Sequence, residues 1–178
     1  MNNIILIGFM GVGKGTTARA LVKHNNENGC KKLCFAIDTD DLIESIEKTS
    51  IKKIFKEKGE PYFRNLEKRC AIWCENSLQN TIISTGGGFY RQENINKIGR
   101  VIYLQSDFDA IIKRLKDAQN SKAKFKKRPL LQNLEEAKKL YAQRVKEYEA
   151  VADVIVNVED RDMDRIIEEI NKAANENN

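Results

Sequence analysis

A chain of 178 residues suits one hydrophobic core, with at most a mobile flap attached. Hydrophobic residues at 41% and charged residues at 32% are ordinary for a globular protein, and no apolar run approaches the ~18–20 residues of a helix that spans a bilayer. A net charge of +5 suits anionic ligands and is too small to argue for nucleic acid.

The segment Met1–Gly8 lacks the positive start and long apolar stretch of a secretory signal, so a cytoplasmic location is expected. Asn3–Ile7 reads as a short buried strand. It leads into Gly8-Phe9-Met10-Gly11-Val12-Gly13-Lys14-Gly15-Thr16, where Gly8, Gly13 and Lys14 fill the G-x4-G-K pattern of a phosphate-binding loop. Glycines let backbone N–H groups wrap a phosphate, and a helix expected over Lys14–Lys23 adds its positive end. Lys14 supplies a mobile cation for the terminal phosphates. The residue after this lysine is usually Ser or Thr, whose hydroxyl ligates Mg²⁺. Here it is Gly15, so either an additional water serves the metal or Thr16 compensates.

His24–Lys32 reads as a polar connector and Leu33–Ile37 as the second strand. Asp38-Thr39-Asp40 follows, two carboxylates at i and i+2 beyond a strand end. One could hold a water of hydrated Mg²⁺ while the other takes a proton from a hydroxyl. The plainer alternative is that Asp40 or Thr39 caps a helix over Asp41–Glu47. Two more helices are expected over Ile51–Lys58 and Tyr62–Ser77. Arg64 and Glu67, at i and i+3 on the second, could form a surface ion pair.

A third strand, Thr81–Ser84, runs into Gly86-Gly87-Gly88. Three glycines in a row cost backbone entropy, so a closely approaching ligand that meets backbone N–H groups is expected there. The remaining strands are Arg100–Leu104 and Val154–Val158. The remaining helices are Phe108–Ala118, Leu134–Ala150, which carries Arg144 and Tyr148, and Asp162–Ala174. Between them Asp117–Arg128 reads as irregular. Its run Lys122-Ala123-Lys124-Phe125-Lys126-Lys127-Arg128 suits a solvated mobile lid better than a nucleic-acid patch.

Four cysteines fall as Cys30 with Cys34 and Cys70 with Cys74, each pair spaced C-x3-C. On a helix that spacing places two residues on one face, and Cys34 opens an apolar run. They read as small buried hydrophobes rather than a zinc site.

Strands alternating with helices imply right-handed crossovers and a parallel sheet covered on both faces. Ligands of such sheets lie beyond the carboxyl ends of the strands. The glycine loop, Asp38-Thr39-Asp40 and Gly86–Gly88 all fall there.

Together these segments resemble the shikimate kinase family over nearly the whole chain. The resemblance rests on Gly-Phe-Met-Gly-x-Gly-Lys, Asp38-x-Asp40, Phe63-Arg64-x2-Glu67, Ser84-Thr85-Gly86-Gly87-Gly88, Arg128-Pro129-Leu130-Leu131, and Arg144-x3-Tyr148-x3-Ala152-Asp153. It implies one P-loop domain over residues 1–178, a three-layer α/β fold with a five-stranded parallel sheet and a mobile lid near 117–133. It also implies ATP and Mg²⁺ as cofactors, shikimate as the acceptor, its 3-hydroxyl as the site of phosphorylation, and a monomer. Nucleotide would be bound by Gly11, Val12, Gly13, Lys14, Gly15, Thr16, Arg114, beside adenine, and Arg128. Lys14, Asp40 and Arg128 would be catalytic. Asp40, Arg64, Gly86, Gly87, Gly88 and Arg144 would bind shikimate, the two arginines at its carboxylate. Asp38 would act on the metal through water, with Thr16 as a second candidate. The sequence departs from the family at Gly15 and in a longer, lysine-rich segment between Arg114 and Arg128.

Two other readings remain open at this stage. Gly-Lys-Gly-Thr also resembles the loop of adenylate kinases, which makes a nucleoside monophosphate kinase the nearest competitor. A nucleotide switch, or a non-catalytic nucleotide-binding relative, is the alternative from another class. Asn96-Lys97-Ile98-Gly99 lacks the final Asp of the guanine-specific segment.

Overall fold

The computed structural model describes residues 3–28, 34–126 and 128–175. The first strand, β1 (Asn3–Ile7), is buried along its whole length, as the centre of a sheet covered on both faces requires. It is followed by α1 (Lys14–Glu27), β2 (Phe35–Asp38), α2 (Thr39–Glu47) and α3 (Ile51–Ser77). Next come β3 (Thr81–Ser84), α4 (Ile95–Ile98), β4 (Gly99–Gln105), α5 (Phe108–Asp117) and α6 (Ser121–Lys126). The chain ends with α7 (Leu134–Val151), β5 (Val154–Asn157) and α8 (Met163–Asn175). The five strands form one parallel sheet in the order β2-β3-β1-β4-β5. The expected fold class and strand set therefore hold.

The order matters for the site. β1 and β3 are neighbours, and β3 also pairs with β2. The loops leaving these three parallel strands emerge side by side at the carboxyl end of the sheet. Register then aligns Asp38 with Ser84 and Ser84 with Leu6.

Three expectations need correction. His24–Lys32 is not irregular from its start, because α1 continues to Glu27; residues 29–33, including Cys30, lie outside the described residues. Asn25 is buried and accepts a 2.8 Å hydrogen bond from Asn171 of α8, so a tertiary contact carries the helix past residues of modest propensity. Asp117–Arg128 likewise contains α6, whose Phe125 packs on the main core. Finally, the helix expected from Asp41 begins at Thr39, and its cap is neither Asp40 nor Thr39. Asp38 takes that role by accepting from the Asp40 N–H at 3.0 Å. The expected break between two helices is present inside α3: Gly59 has φ 80°, and Pro61 opens the second half.

Cys34 and Cys74 are buried among apolar residues, and the partly buried Cys70 packs against both hydrophobic clusters. Among the described residues no helix is long and apolar enough to cross a membrane.

Candidate active site

The phosphate loop leaves β1 and turns into α1. Gly8 and Gly13 carry it through φ of 140° and 108°, values open to glycine and strained for other residues. Gly13 is the N-cap of α1, with no side-chain cap and no acidic residue in the first turn. The first amides of the helix therefore keep their hydrogen-bonding capacity for an anion. Lys14 Nζ donates to the carbonyls of Gly8 at 2.7 Å and Phe9 at 3.1 Å, which holds its charge beneath the loop. Burial lowers its pKa to about 8, opposed by the charges of Asp38 and Asp40. The charges of Arg128 and Arg144 also reach it.

Arg114, in the last turn of α5, donates to the Gly11 carbonyl at 2.8 Å, and its guanidinium lies about 3.8 Å from where a Gly13 Cβ would stand. Arg128 borders the same cleft, whose volume is about 1940 Å³. That exceeds the roughly 300–1,000 Å³ of a site for one small ligand, so there is room for a nucleotide and a second small molecule. Thr16 lies on the cleft wall and is exposed, whereas Thr17 is buried.

Asp40 projects from the first turn of α2. Burial, then the charges of Asp38 and Glu67, raises its pKa to about 7, and its Oδ1 is buried with no hydrogen-bond partner among the described residues. A carboxylate poised near neutrality and left with an open acceptor is suited to take a proton. Asp38 faces it with both oxygens engaged: Oδ1 holds the Asp40 amide, and Oδ2 accepts from the Ser84 hydroxyl at 2.7 Å.

The three glycines after β3 have a reason beyond the ligand approach expected of them. None of them lies in the left-handed region that favours glycine. The close approach comes from the protein's own side chains. A Cβ on Gly86 would lie 2.5 Å from Asp40 Oδ1, one on Gly87 3.1 Å from Arg144 Nη1, and one on Gly88 2.5 Å from Arg64 Nη1. Each glycine thus makes space for one polar residue of the cleft. The Gly86 N–H is taken by Thr39 Oγ1 at 3.1 Å, and the Gly87 carbonyl accepts from the buried Tyr148 hydroxyl at 2.7 Å.

Arg64 and Glu67 are not a surface pair. Glu67 is 1% exposed, accepts from Arg64 Nη1 at 2.6 Å, and has its carboxyl pushed up by burial. The other edge of the same guanidinium holds Glu60, which is 58% exposed. Arg144 is buried, and its Nε has no hydrogen-bond partner among the described residues. The structure therefore gathers Lys14, Asp38, Asp40, Arg64, Arg128, Arg144 and Gly86–Gly88 around one cleft, with Arg114 on the phosphate-loop side.

Ser84, Thr39, Glu60 and Tyr148 hold these groups in place, and the motifs did not single them out for that work. For Ser84 the available signal was its place at a strand end, but its partner Asp38 is 46 residues away.

A family model for shikimate kinase matches residues 10–175. The shikimate kinase of Persephonella marina is 39% identical over 176 residues, covering 96% of this chain and 97% of the relative. That of Helicobacter hepaticus is 34% identical over 157 residues, covering 88% and 87%. A solved shikimate kinase from Acinetobacter baumannii in complex with shikimate superposes with a TM-score of 0.79 at 26% identity, covering 97% of this chain and 92% of that one. A family match across nearly the whole chain, with relatives of equal length and the same sheet, leads to one assignment: the chain belongs to the shikimate kinase family.

Proposed function

We propose that the cleft phosphorylates shikimate at its 3-hydroxyl by in-line transfer from ATP, giving shikimate 3-phosphate and ADP in the route to chorismate and the aromatic amino acids. Membership of the family makes the chain a kinase that acts on a shikimate hydroxyl with ATP as donor. What is proposed is the division of labour among its residues. The observation that carries it is the polarity of the acceptor side, with Asp40 against Gly86 at one end of the glycine turn and Arg64 and Arg144 against Gly88 and Gly87 at the other. A small ring acid calls for this pattern: planar guanidinium groups for its carboxylate and an acceptor for a hydroxyl proton.

In this reading Asp40 orients and deprotonates the attacking hydroxyl. Arg64 and Arg144 bind the carboxylate, and the exposed Glu60 is the contact that the substrate displaces while buried Glu67 keeps Arg64 in place. The Gly86–Gly88 backbone meets the ring, and residues Gly11–Thr16 bind the phosphates. Lys14 and Arg128 stabilise charge on the transferring group, which in phosphoryl transfer supplies most of the rate. Arg114 stands beside the adenine. Residues 117–133 serve as the lid of a single domain, and the enzyme acts as a cytoplasmic monomer without a nucleic-acid or membrane partner.

Mg²⁺ fits the donors present. Among the described residues no cluster of three or more His, Cys, Asp or Glu side chains forms a protein cage. Mg²⁺ is commonly held by one carboxylate, phosphates and retained waters, and Asp38 offers such a carboxylate beside the loop. Bound there, the ion would neutralise charge on the phosphates.

A coupled ADP-release assay with shikimate, AMP and gluconate tests the acceptor. Turnover with shikimate is expected; turnover with AMP in its place would overturn the reading in favour of a nucleoside monophosphate kinase. Arg64→Ala is expected to raise the KM for shikimate by about 10–100-fold, the cost of losing a hydrogen-bonded charge. Nucleotide affinity should remain within about twofold of the original. Equal loss of both affinities counts against the assigned role.

A further inference from the structure

The loop has no hydroxyl at position 15, and the surroundings of Gly15 indicate what serves in its stead. A Cβ built on Gly15 would meet only ordinary contacts: Arg19 Nη1 at 3.5 Å, Ser84 Oγ at 3.7 Å and Asp38 Oδ2 at 3.8 Å. A serine side chain therefore fits, and its hydroxyl would sit among these polar atoms. Ser84 and Asp38 are already joined by a 2.7 Å hydrogen bond in which Ser84 is the donor. The proton of Ser84 is thereby committed to Asp38, and its lone pairs are left to accept. Ser84 is 2% exposed and fixed by parallel register to both neighbouring strands, so this acceptor is rigidly placed.

We infer that Ser84 is a positioning residue for the Mg²⁺ hydration shell, orienting with Asp38 a metal-bound water where a residue-15 hydroxyl would otherwise bind. Such a water would donate a hydrogen to Ser84 Oγ, an acceptor that Asp38 Oδ2 holds in place, and would turn its own lone pair to the ion. Mg²⁺ gives up its waters reluctantly, so a held water is a suitable ligand. Thr16 is less suited to the task. It lies ~100° further round the helix from Gly15 and is exposed rather than turned into the Asp38–Ser84 pair. The inference rests on the kinase reading, because it supposes a metal–nucleotide complex in the loop.

The test is a four-protein cycle: the unaltered chain, Ser84→Ala, Gly15→Ser and the double variant. ADP affinity is measured for each by titration calorimetry, with Mg²⁺ and with EDTA. Ser84→Ala is expected to lower the Mg²⁺-dependent gain in ADP affinity about tenfold and to leave metal-free affinity within about twofold, as loss of one partner of a metal-bound group does. In the Gly15→Ser background the same change should cost at most about twofold, because a side-chain hydroxyl then reaches the metal directly. An equal loss in both backgrounds, or no loss in the first, overturns the inference. A loss of the same size with EDTA also overturns it, since Ser84 would then act only through the fold around Asp38. Failure of the kinase reading would show separately, as absent shikimate-dependent ADP release from the unaltered chain.

Discussion

Asp40→Asn is expected to lower kcat with shikimate by about 10²–10⁴-fold, the usual contribution of a positioned general base. KM for ATP should change little, because the role proposed for Asp40 is on the acceptor hydroxyl and not on the nucleotide. For the unaltered enzyme, kcat/KM should rise with pH through about 7, the pKa to which burial and the neighbouring acids raise the Asp40 carboxyl, and fall again above about 8 as Lys14 loses its proton. The residual activity of the Asn variant should lack the rising limb.

Stability should move in the opposite direction. The folded state holds the Asp40 proton up to about pH 7, whereas the unfolded chain releases it near the ordinary aspartate value of 3.8. Between those values the folded state binds more protons, so the Asp40 contribution to stability falls as pH rises through this window. Asn cannot ionise and escapes that loss. Without nucleotide or metal, Asp40→Asn should therefore be more stable than the unaltered protein at pH 8, by roughly 1–3 kcal/mol or several degrees in Tm. The two proteins should converge below pH 4. Calorimetric melting across pH 4–8 measures this, and a Tm at pH 8 that drops on substitution would show the ionised carboxylate to be stabilising instead.

One added methyl group should produce two different defects at Gly86 and Gly88. Gly86→Ala puts a Cβ 2.5 Å from Asp40 Oδ1, and Asp40 has a short, buried side chain with little room to retreat. The carboxylate must move, and a misplacement near 1 Å costs about 10²-fold in rate. The loss should appear in kcat. Gly88→Ala puts its Cβ at the same distance from Arg64 Nη1, the end of a long side chain that is 31% exposed and can swing. That variant should keep most of its kcat and show a KM for shikimate raised about tenfold. Neither glycine lies in the left-handed region, so backbone strain should not obscure the contrast. Steady-state kinetics on the two variants decide it, and matching defects in both would mean that the turn behaves as one unit.

Much of this was legible in the chain because it is local. Short runs rich in Ile, Val or Leu and bounded by polar residues or glycine mark the strands, and the spacing Gly8-x4-Gly13-Lys14 needs only neighbouring residues to form an anion site. Elements whose boundaries depend on distant partners were less legible. The last turn of α1 depends on Asn171, and α6 carries Phe125 onto the core. The cap of α2 is also not legible locally: the sequence offers Asp40 or Thr39, and the structure uses Asp38. Any short polar residue near a helix start is a candidate cap, and the choice depends on where the preceding strand ends.

By itself the sequence determined a nucleotide-binding loop on a parallel sheet, the family to which the acceptor motifs belong, and the absence of a hydroxyl at position 15. Tertiary structure decided why Gly86–Gly88 must lack side chains, that Glu67 is buried beneath Arg64, and that Ser84 stands against Asp38. The physical reason is parallel register. Residues far apart in the chain become neighbours only when β2, β3 and β1 align, and no local spacing reports that alignment.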